Sequence, residues 1–285
     1  MKFLNFAAGQ RRSFGALTAR GVLDLGARLN TEARDLSAFL RSDVLASGLA
    51  LARADAADYA LEDVTVLSPA GRTRYFCIGV NYPDRNEEYR DGSERPRYPS
   101  IFMRTHTSLV AHGEPIVRPR ESEQLDYEGE IVVVIGRGGR RIPAEQALAH
   151  VFGYTCGNEG SVRDWLRHAK FNVTQGKNFD RSGALGPWVV TAEEVGTEPL
   201  RVETRVNGEL RQDDTSDRML FSIPFLIAYL STFCTLEAGD VIFSGTPSGA
   251  GARFDPPRYL VAGDVVEVKV SRVGILRNAV VDDAA

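Results

Sequence analysis

The chain contains 285 residues, of which 43% are hydrophobic and 25% are charged, values that are ordinary for a soluble globular enzyme of one or two domains. A net charge of −4 argues against nucleic-acid and anionic-membrane partners. No apolar run reaches the roughly 18 to 20 residues of a membrane span, and the first residues lack the apolar core of a secretory signal, so the cytoplasm is the expected compartment.

Residues 1–70 are predicted to form a small N-terminal α/β domain. A turn-like start precedes a short strand at Gly21–Leu25. Apolar residues at helical spacing predict one or two helices within residues 33–60, and Val64–Pro69 predicts a strand that leads out of this unit.

Residues 71–285 are predicted to form a second, strand-dominated domain, in which short Val, Ile and Phe runs are separated by Gly, Pro, Asn and Asp. The predicted strands are Tyr75–Val80, Ile131–Ile135, Trp188–Thr191, Val202–Asn207, Val241–Ser244 and Val265–Val270. The predicted helices are Ala144–Val151, Ser161–Lys170 and Phe221–Cys234. This order predicts the α+β fold class.

Three cysteines, Cys77, Cys156 and Cys234, are odd in number and far apart in apolar surroundings. They predict buried free thiols of a reducing compartment rather than disulfides or a zinc site.

The stretch from Asp84 to Arg97 is unusual, because nine of its 14 residues are charged. It has too few apolar residues to be buried, which indicates a solvated surface loop. A long charged loop beside a strand end can also serve as a mobile lid over a site, and the two interpretations are compatible.

Two glutamates, Glu128 and Glu130, open an apolar run that ends at Ile135. Residues at positions i and i+2 of a strand point to the same face. Two like charges that enter a core are costly unless something neutralises them, and a divalent cation would do so. The alternative is an edge strand with two solvated glutamates.

A third carboxylate, Glu159, lies where an apolar strand is predicted to pass into a helix, which is a usual place for a ligand. Three carboxylates with no nearby Cys or His favour a hard cation, Mg²⁺ or Mn²⁺, over zinc.

Two further segments carry groups that suit an anionic ligand. Lys177 stands between a glycine and an Asn-Phe pair, where it could stabilise negative charge on a carbonyl oxygen; a surface lysine is the alternative. The small residues of 244–251 could bring backbone N–H groups close to a ligand carboxylate.

Taken together, several motifs resemble the fumarylacetoacetate hydrolase family over roughly residues 70–283. They agree with the family in order and spacing, and the combination is far more specific than any single motif. The motifs are Gly79–Tyr82, Asp126–Glu130, Tyr154–Asp164, Gln175–Trp188, Val206–Gln212 and Ser244–Gly249.

The resemblance implies a mixed β-roll catalytic domain that binds Mg²⁺ or Mn²⁺, forms homodimers and acts on small 2-oxo or 2,4-dioxo acids, with no nucleic-acid or membrane partner. The reactions of such a family pass through a metal-bound enolate and include C–C bond hydrolysis, isomerisation and decarboxylation in the catabolism of aromatic or sugar acids. Within the family, the chain looks most like the bacterial group labelled 5-carboxymethyl-2-hydroxymuconate isomerase or 2-oxohepta-3-ene-1,7-dioate hydratase.

The resemblance also assigns positions. Glu128, Glu130 and Glu159 occupy the metal-ligand positions, and Lys177 the position of a lysine near the cation. Thr246 matches a binder of the substrate carboxylate, and Gln212 matches a position that lines the pocket. The third metal ligand of the family is usually Asp, so Glu159 is longer by one methylene but keeps the ligand type.

A second departure from the family concerns Arg85 and Glu88. Family hydrolases carry a His and, three residues on, a Glu that together activate water. Arginine cannot serve as a general base, so this dyad is broken. Arg85 could clamp a second substrate carboxylate, or it could be a surface arginine paired with Glu88.

The broken dyad moves the expectation from hydrolysis towards isomerisation, hydration or decarboxylation. Glu88 could still act as a base unaided, and His106 or His112 could substitute, although their spacing is that of ordinary loop residues. The alternative function is a catalytically impaired family member that binds a dicarboxylate as a sensor or partner protein.

Overall fold

A computed structural model describes residues 1–88, 94–168 and 173–284 of the chain. The strands up to the first predicted metal-ligand segment are β1 (Lys2–Ala8), β2 (Arg11–Thr18), β3 (Gly21–Asp24), β4 (Thr65–Leu67), β5 (Tyr75–Ile78), β6 (Ile101–Arg104), β7 (Leu109–Val110), β8 (Ile116–Arg118), β9 (Leu125–Asp126) and β10 (Gly129–Ile135). The later strands are β11 (Val151–Asn158), β12 (Ser161–Val162), β13 (Gly183–Thr191), β14 (Arg201–Val206), β15 (Glu209–Thr215), β16 (Val241–Phe243), β17 (Val265–Val270) and β18 (Gly274–Asp282).

The helices are short except near the end of the chain. The α-helices are α1 (Leu25–Arg28), α2 (Leu36–Leu40), α3 (Leu45–Leu51), α4 (Pro83–Glu87), α5 (Thr174–Lys177), α6 (Ala192–Val195) and α7 (Ile223–Phe233). The 3₁₀ helices are Leu61–Asp63, His106–Ser108, Ala144–His150, Asp164–Arg167, Ser216–Arg218 and Gly251–Arg253. This mixture of sheets and helices confirms the predicted α+β class. None of the described helices has the length and hydrophobicity of a membrane span.

Most strands belong to two sheets. The larger sheet has the order β3-β2-β1-β13-β11-β10-β16-β5-β6, with β4 beside β1 and β7 beside β13. The smaller sheet has the order β15-β14-β17-β18-β8, and β9 pairs with β12. The largest apolar cluster contains residues of both of these sheets and of α7.

The start of the chain differs from its prediction. Instead of a turn-like segment it forms β1 and β2, which pair antiparallel along their whole length. Phe3 packs in one apolar cluster while Leu4 and Phe6 pack in another, because both faces of β1 are covered. A strand that is buried on both faces lacks the alternation that identifies a half-exposed strand from sequence.

The same strand joins the two predicted domains in one sheet, since Lys2 and Phe3 of β1 pair with Val190 and Val189 of β13. The division of the chain at residue 70 stays a prediction.

The strand that carries the paired glutamates lies inside the larger sheet. β10 pairs with β11 on one side and with β16 on the other. Glu130 stands opposite Gly157 of β11, and the N–H of Glu159 donates to the carbonyl oxygen of Glu128 at 2.8 Å. The alternative of a solvated edge strand is therefore wrong, and the three predicted ligand positions meet at one end of β10 and β11.

The predicted helices have different outcomes. Phe221–Cys234 is confirmed as α7, in which the hydroxyl of Ser222 accepts a bond from the N–H of Phe225. Ala144–Val151 is a 3₁₀ helix over Ala144–His150. The helix predicted at Ser161–Lys170 is wrong at its start, because Ser161–Val162 is β12; residues 169 and 170 lie outside the described residues. β12 pairs with distant β9, a contact that a local pattern does not reveal.

Gly129, between the two glutamates, lies where the two sheets meet. A Cβ at this position would stand 1.9 Å from Oγ1 and 3.2 Å from Cβ of Thr204 in β14. Thr204 is completely buried, and its hydroxyl has no hydrogen-bond partner among the described residues. The glycine therefore lets the glutamate-bearing strand lie directly against the smaller sheet.

We expect Gly129→Ala to lower the free energy of unfolding by about 1–3 kcal/mol, the usual cost of overpacking a core. In a Thr204→Ala background the closest contact is removed, so the same substitution should cost clearly less. Urea unfolding of the parent, both single variants and the double variant measures how far the cost of Gly129→Ala depends on the side chain at position 204. An equal cost of Gly129→Ala in both backgrounds would contradict the contact.

Candidate active site

A cavity of about 350 Å³ opens beside the ends of β10 and β11. Its wall contains the apolar residues Ile78, Val80, Phe102, Leu166 and Val173. The wall also contains the charged residues Arg85, Glu94, Glu128, Glu130, Glu159, Arg163 and Lys177, together with Thr246. Most of the residues singled out in the sequence therefore share one cavity.

The three glutamates are buried despite lining this cavity, with exposed fractions of 4% for Glu128, 1% for Glu130 and 2% for Glu159. Pairing of β10 with β11 brings them together, and the side-chain oxygen of Asn158 fixes the loop by accepting the N–H of Glu128 at 2.9 Å. Such close burial requires compensating charge or hydrogen bonds at each carboxylate.

Glu128 is surrounded by cations. Its Oε1 accepts bonds from Arg85 at 2.8 Å and from Arg163 at 2.9 Å, and its Oε2 accepts from the ammonium group of Lys177 and from the hydroxyl of Ser161. Burial alone raises the pKa of Glu128, but the charges of Arg163, Lys177 and Arg85 outweigh it and hold the pKa well below its usual value.

Glu130 has a different environment. Its Oε2 accepts the backbone N–H of Gly245 at 2.7 Å. Burial, followed by the negative charges of Glu159 and Glu128, raises the pKa of Glu130 well above its usual value. Its negative charge is therefore much less compensated than that of Glu128.

Glu159 is intermediate between these two. Its Oε2 accepts from Lys177 at 2.8 Å and its Oε1 from Arg104 at 3.1 Å. Burial raises the pKa of Glu159 despite these two cations. Burial also lowers the pKa of Lys177, but the carboxylates of Glu128 and Glu159 outweigh that effect, so its pKa is raised and it stays charged.

The three carboxylates offer oxygen ligands of the kind that Mg²⁺ and Mn²⁺ prefer, and the raised pKa of Glu130 marks a place where added positive charge would be stabilising. Within the described residues, no three acidic, His or Cys side chains already stand in the arrangement of a metal site. The ammonium group of Lys177 instead lies between Glu128 and Glu159. The three carboxylates fit a divalent cation, provided that the ammonium group of Lys177 moves out from between Glu128 and Glu159.

The small residues of the 244–251 segment bind carboxylates of the protein itself. Gly245 donates to Glu130, Gly249 donates to Glu88 at 2.7 Å, and Gly251 donates to Asp126 at 2.8 Å. The sequence had suggested a ligand carboxylate as the partner of such N–H groups. Here they fix the acidic residues around the cavity.

Thr246 and Gln212 form one hydrogen-bonded pair at the cavity wall. The Thr246 hydroxyl donates to the carbonyl oxygen of Gly129 at 2.9 Å and accepts from Nε2 of Gln212 at 2.8 Å. The side-chain oxygen of Gln212 accepts the N–H of Gly129 at 2.9 Å. Gln212 thus fixes both the hydroxyl of Thr246 and the backbone between the two glutamates.

Arg85 is not a surface residue, because only 2% of it is exposed. It lies in α4, and its guanidinium group bridges Glu128 and Glu88, with a 2.8 Å bond to each. The surface-loop interpretation of Asp84–Arg97 is wrong at this residue. Residues 89–93 of that stretch lie outside the described residues, so its lid role stays a prediction.

Neither histidine proposed as a substitute base contributes to the described cavity wall. His106 is exposed in a 3₁₀ helix, and Nδ1 of His112 accepts the N–H of Arg277 at 3.2 Å. The cysteines are free, with Cys77 and Cys156 buried and Cys234 partly buried.

Sequence reasoning did not assign roles to several residues that surround the glutamates. Arg163 joins Asp126, at 2.8 Å, to Glu128, at 2.9 Å. Arg104 binds Glu159, and Ser161 binds Glu128. In the sequence, Arg104 differs from other arginines only in that it directly follows the apolar residues Ile101, Phe102 and Met103.

Comparison with known proteins places the chain in a family. The model of the fumarylacetoacetate (FAA) hydrolase C-terminal domain matches residues 74–281. Oxaloacetate tautomerase YisK of Bacillus subtilis (strain 168) is 42% identical over 228 residues, which are 78% of this chain and 75% of that protein. Human mitochondrial oxaloacetate tautomerase FAHD2A is 36% identical over 267 residues, 92% of this chain and 84% of that protein.

A solved structure agrees with this result. Fumarylacetoacetate hydrolase (EaFAH) from the psychrophilic Exiguobacterium antarcticum superposes with a TM-score of 0.81 at 33% identity, over 99% of this chain and 100% of that chain. The family match covers the strands and loops that form the cavity. The chain therefore belongs to the fumarylacetoacetate hydrolase family.

Proposed function

We propose that this protein catalyses the keto–enol tautomerisation of a 2-oxo dicarboxylic acid such as oxaloacetate, with Mg²⁺ or Mn²⁺ held by Glu128, Glu130 and Glu159. The relatives named oxaloacetate tautomerase support the reaction class. The observation that carries the proposal is the buried Arg85 at the position where family hydrolases have a histidine.

Arg85 separates tautomerisation from hydrolysis. Hydrolysis of a C–C bond needs a base that activates water, and a guanidinium group cannot accept that proton. Its contacts with Glu128 and Glu88 keep it charged inside the site. Tautomerisation moves one proton from C3 to the 2-oxo oxygen, adds no water and breaks no C–C bond, so the lost histidine does not prevent it.

The cations of the cavity suit a doubly negative substrate. Arg163 and Arg85 provide guanidinium groups, which pair well with carboxylates. Thr246, fixed by Gln212, shapes the wall where the family resemblance places a substrate carboxylate. We assign binding of the substrate carboxylates to Arg85, Arg163 and Thr246.

Lys177 and Glu88 are assigned to the proton transfer. Lys177 lines the cavity and stays charged, so it can donate a hydrogen bond to the 2-oxo oxygen as negative charge develops there. Glu88 lies outside the described cavity wall, but its side chain is 19% exposed and its two oxygens are held by Arg85, a wall residue, and by the N–H of Gly249. We assign it the removal of the C3 proton from a substrate bound beside Arg85. A divalent cation, when bound, would polarise the 2-oxo carbonyl group.

The second candidate is a protein that binds a dicarboxylate without turning it over. Arg85 favours it, because the residue both removes the hydrolytic base and adds a carboxylate-binding group. Lys177 and the three glutamates, all buried at one cavity, favour catalysis instead.

Tautomerase activity is tested by following the ultraviolet absorbance of enol oxaloacetate with and without Mn²⁺. We expect the parent protein to accelerate its decay, Lys177→Met to lower kcat by about 10²–10³-fold, and Glu88→Gln to lower it by about 10²–10⁴-fold. The exposed residues Lys269 and Glu145 supply controls, Lys269→Met and Glu145→Gln, which should keep the parent rate.

Three results would contradict this proposal. Release of CO₂ as the only reaction would indicate a decarboxylase. Tight binding of oxaloacetate without turnover would support the sensor. Equal activity of the parent and Lys177→Met would remove the lysine from the mechanism.

The role of Arg85 is tested by restoring the histidine. We expect Arg85→His to gain hydrolysis of an acylpyruvate, seen as release of pyruvate, because His can accept the proton of water. Arg85→Gln removes the same charge without adding a base and should gain no hydrolysis. No gain of hydrolysis in Arg85→His would show that Arg85 is not what prevents hydrolysis, and an equal gain in Arg85→Gln would show that the added base is not the cause.

A further inference from the structure

Arg104 ends β6 behind the cavity and is the most enclosed cation near the glutamates. Its side chain is 0% exposed. The cavity wall, as described, contains Glu159 but not Arg104. Arg104 therefore acts on the site through Glu159 and not by touching a ligand.

The guanidinium group of Arg104 is fixed on several sides. Nη1 donates to the carbonyl oxygen of Gly160 at 2.7 Å, Nη2 donates to the hydroxyl of Ser182 at 3.0 Å, and Nε donates to the hydroxyl of Ser108 at 3.1 Å. The remaining polar contact of Nη1 is with Oε1 of Glu159 at 3.1 Å. A group held this firmly presents its donor to Glu159 in one orientation.

Glu159 needs such an anchor. Compared with the aspartate that the family resemblance places here, it has one more rotatable bond, and fixing that bond costs conformational entropy when a ligand is bound. Arg104 holds Oε1, while Oε2 points to Lys177 and the shared space beside Glu128. Oε1 of Glu159 is thus anchored by Arg104, and Oε2 remains available to a ligand in the cavity.

We propose that Arg104 is a positioning residue, which anchors one oxygen of Glu159 so that the other is presented to the divalent cation. This inference rests on the proposed metal site. It adds a residue outside the predicted ligand set and explains how the longer carboxylate can replace the usual one.

The test measures Mn²⁺ binding directly, by the electron paramagnetic resonance signal of free Mn²⁺, in the full-length protein. We expect Arg104→Met to weaken Mn²⁺ binding by about 10–100-fold, the usual effect of losing a group that orients a metal ligand. Arg104→Lys keeps the charge but has fewer donors, so its affinity should lie between those of Arg104→Met and the parent. Saturating Mn²⁺ should restore most of kcat in both variants.

Arg74→Met is the matched control. Arg74 binds the buried Asp240 through Nε at 2.9 Å, and neither residue is part of the described cavity wall. We expect Arg74→Met to lower stability to urea without changing Mn²⁺ affinity. A purely structural Arg104 would behave in the same way, and parent-like Mn²⁺ affinity in Arg104→Met would overturn the inference.

Two further outcomes are distinguishable. If Arg104→Met does not fold, Arg104→Lys decides the test, and parent-like affinity in that variant overturns the inference. If the parent binds Mn²⁺ no better than Glu159→Gln does, the proposed metal site fails and this inference fails with it. Metal binding that depends on Glu159 but not on Arg104 refutes only the role of Arg104.

Discussion

Four carboxylates and four cationic side chains share one nearly enclosed region of the molecule, and the site depends on their balance. The carboxylates are Asp126, Glu128, Glu130 and Glu159, and the cations are Arg85, Arg104, Arg163 and Lys177. Neither set could be buried alone, because the loss of hydration of each charge must be offset by a partner or by hydrogen bonds. The strands and loops around the cavity are arranged so that almost every one of these charges has such a partner.

The compensation of charge differs between the glutamates. Glu128 is bound by three cations, and its pKa is held well below the usual value. Glu130 is held by a backbone N–H beside two other carboxylates, and its pKa is raised. Added positive charge is therefore most stabilising near Glu130. An anionic substrate would balance that charge and would meet Lys177, Arg85 and Arg163, which line the same cavity.

The local part of this arrangement could be predicted from sequence. Glu128 and Glu130 open an apolar run at strand spacing, and Glu159 follows a second such run, so these patterns alone predicted carboxylates at the ends of two buried strands. The strand β1 was missed because both of its faces are buried, with Phe3 and Leu4 in different clusters. Its sequence therefore lacks the alternation on which strand prediction depends.

The partners of the glutamates could not be predicted in the same way, because they lie far away along the chain. Arg85 is 43 residues from Glu128, and Arg104 is 55 residues from Glu159. No periodicity joins residues at such distances. Arg85 was noticed only because the family resemblance expects a histidine there, and its burial became evident only from the packing of α4 against the cavity.

The proposed function requires that the three glutamates hold a divalent cation to which a 2-oxo acid is presented. A crystal structure grown with Mn²⁺ and oxalate, recorded with anomalous scattering from manganese, tests it most directly. We expect a strong anomalous peak among the carboxylates of Glu128, Glu130 and Glu159, with oxalate beside both the cation and Lys177. Oxalate in the cavity with no such peak, and with Lys177 still between Glu128 and Glu159, would contradict it.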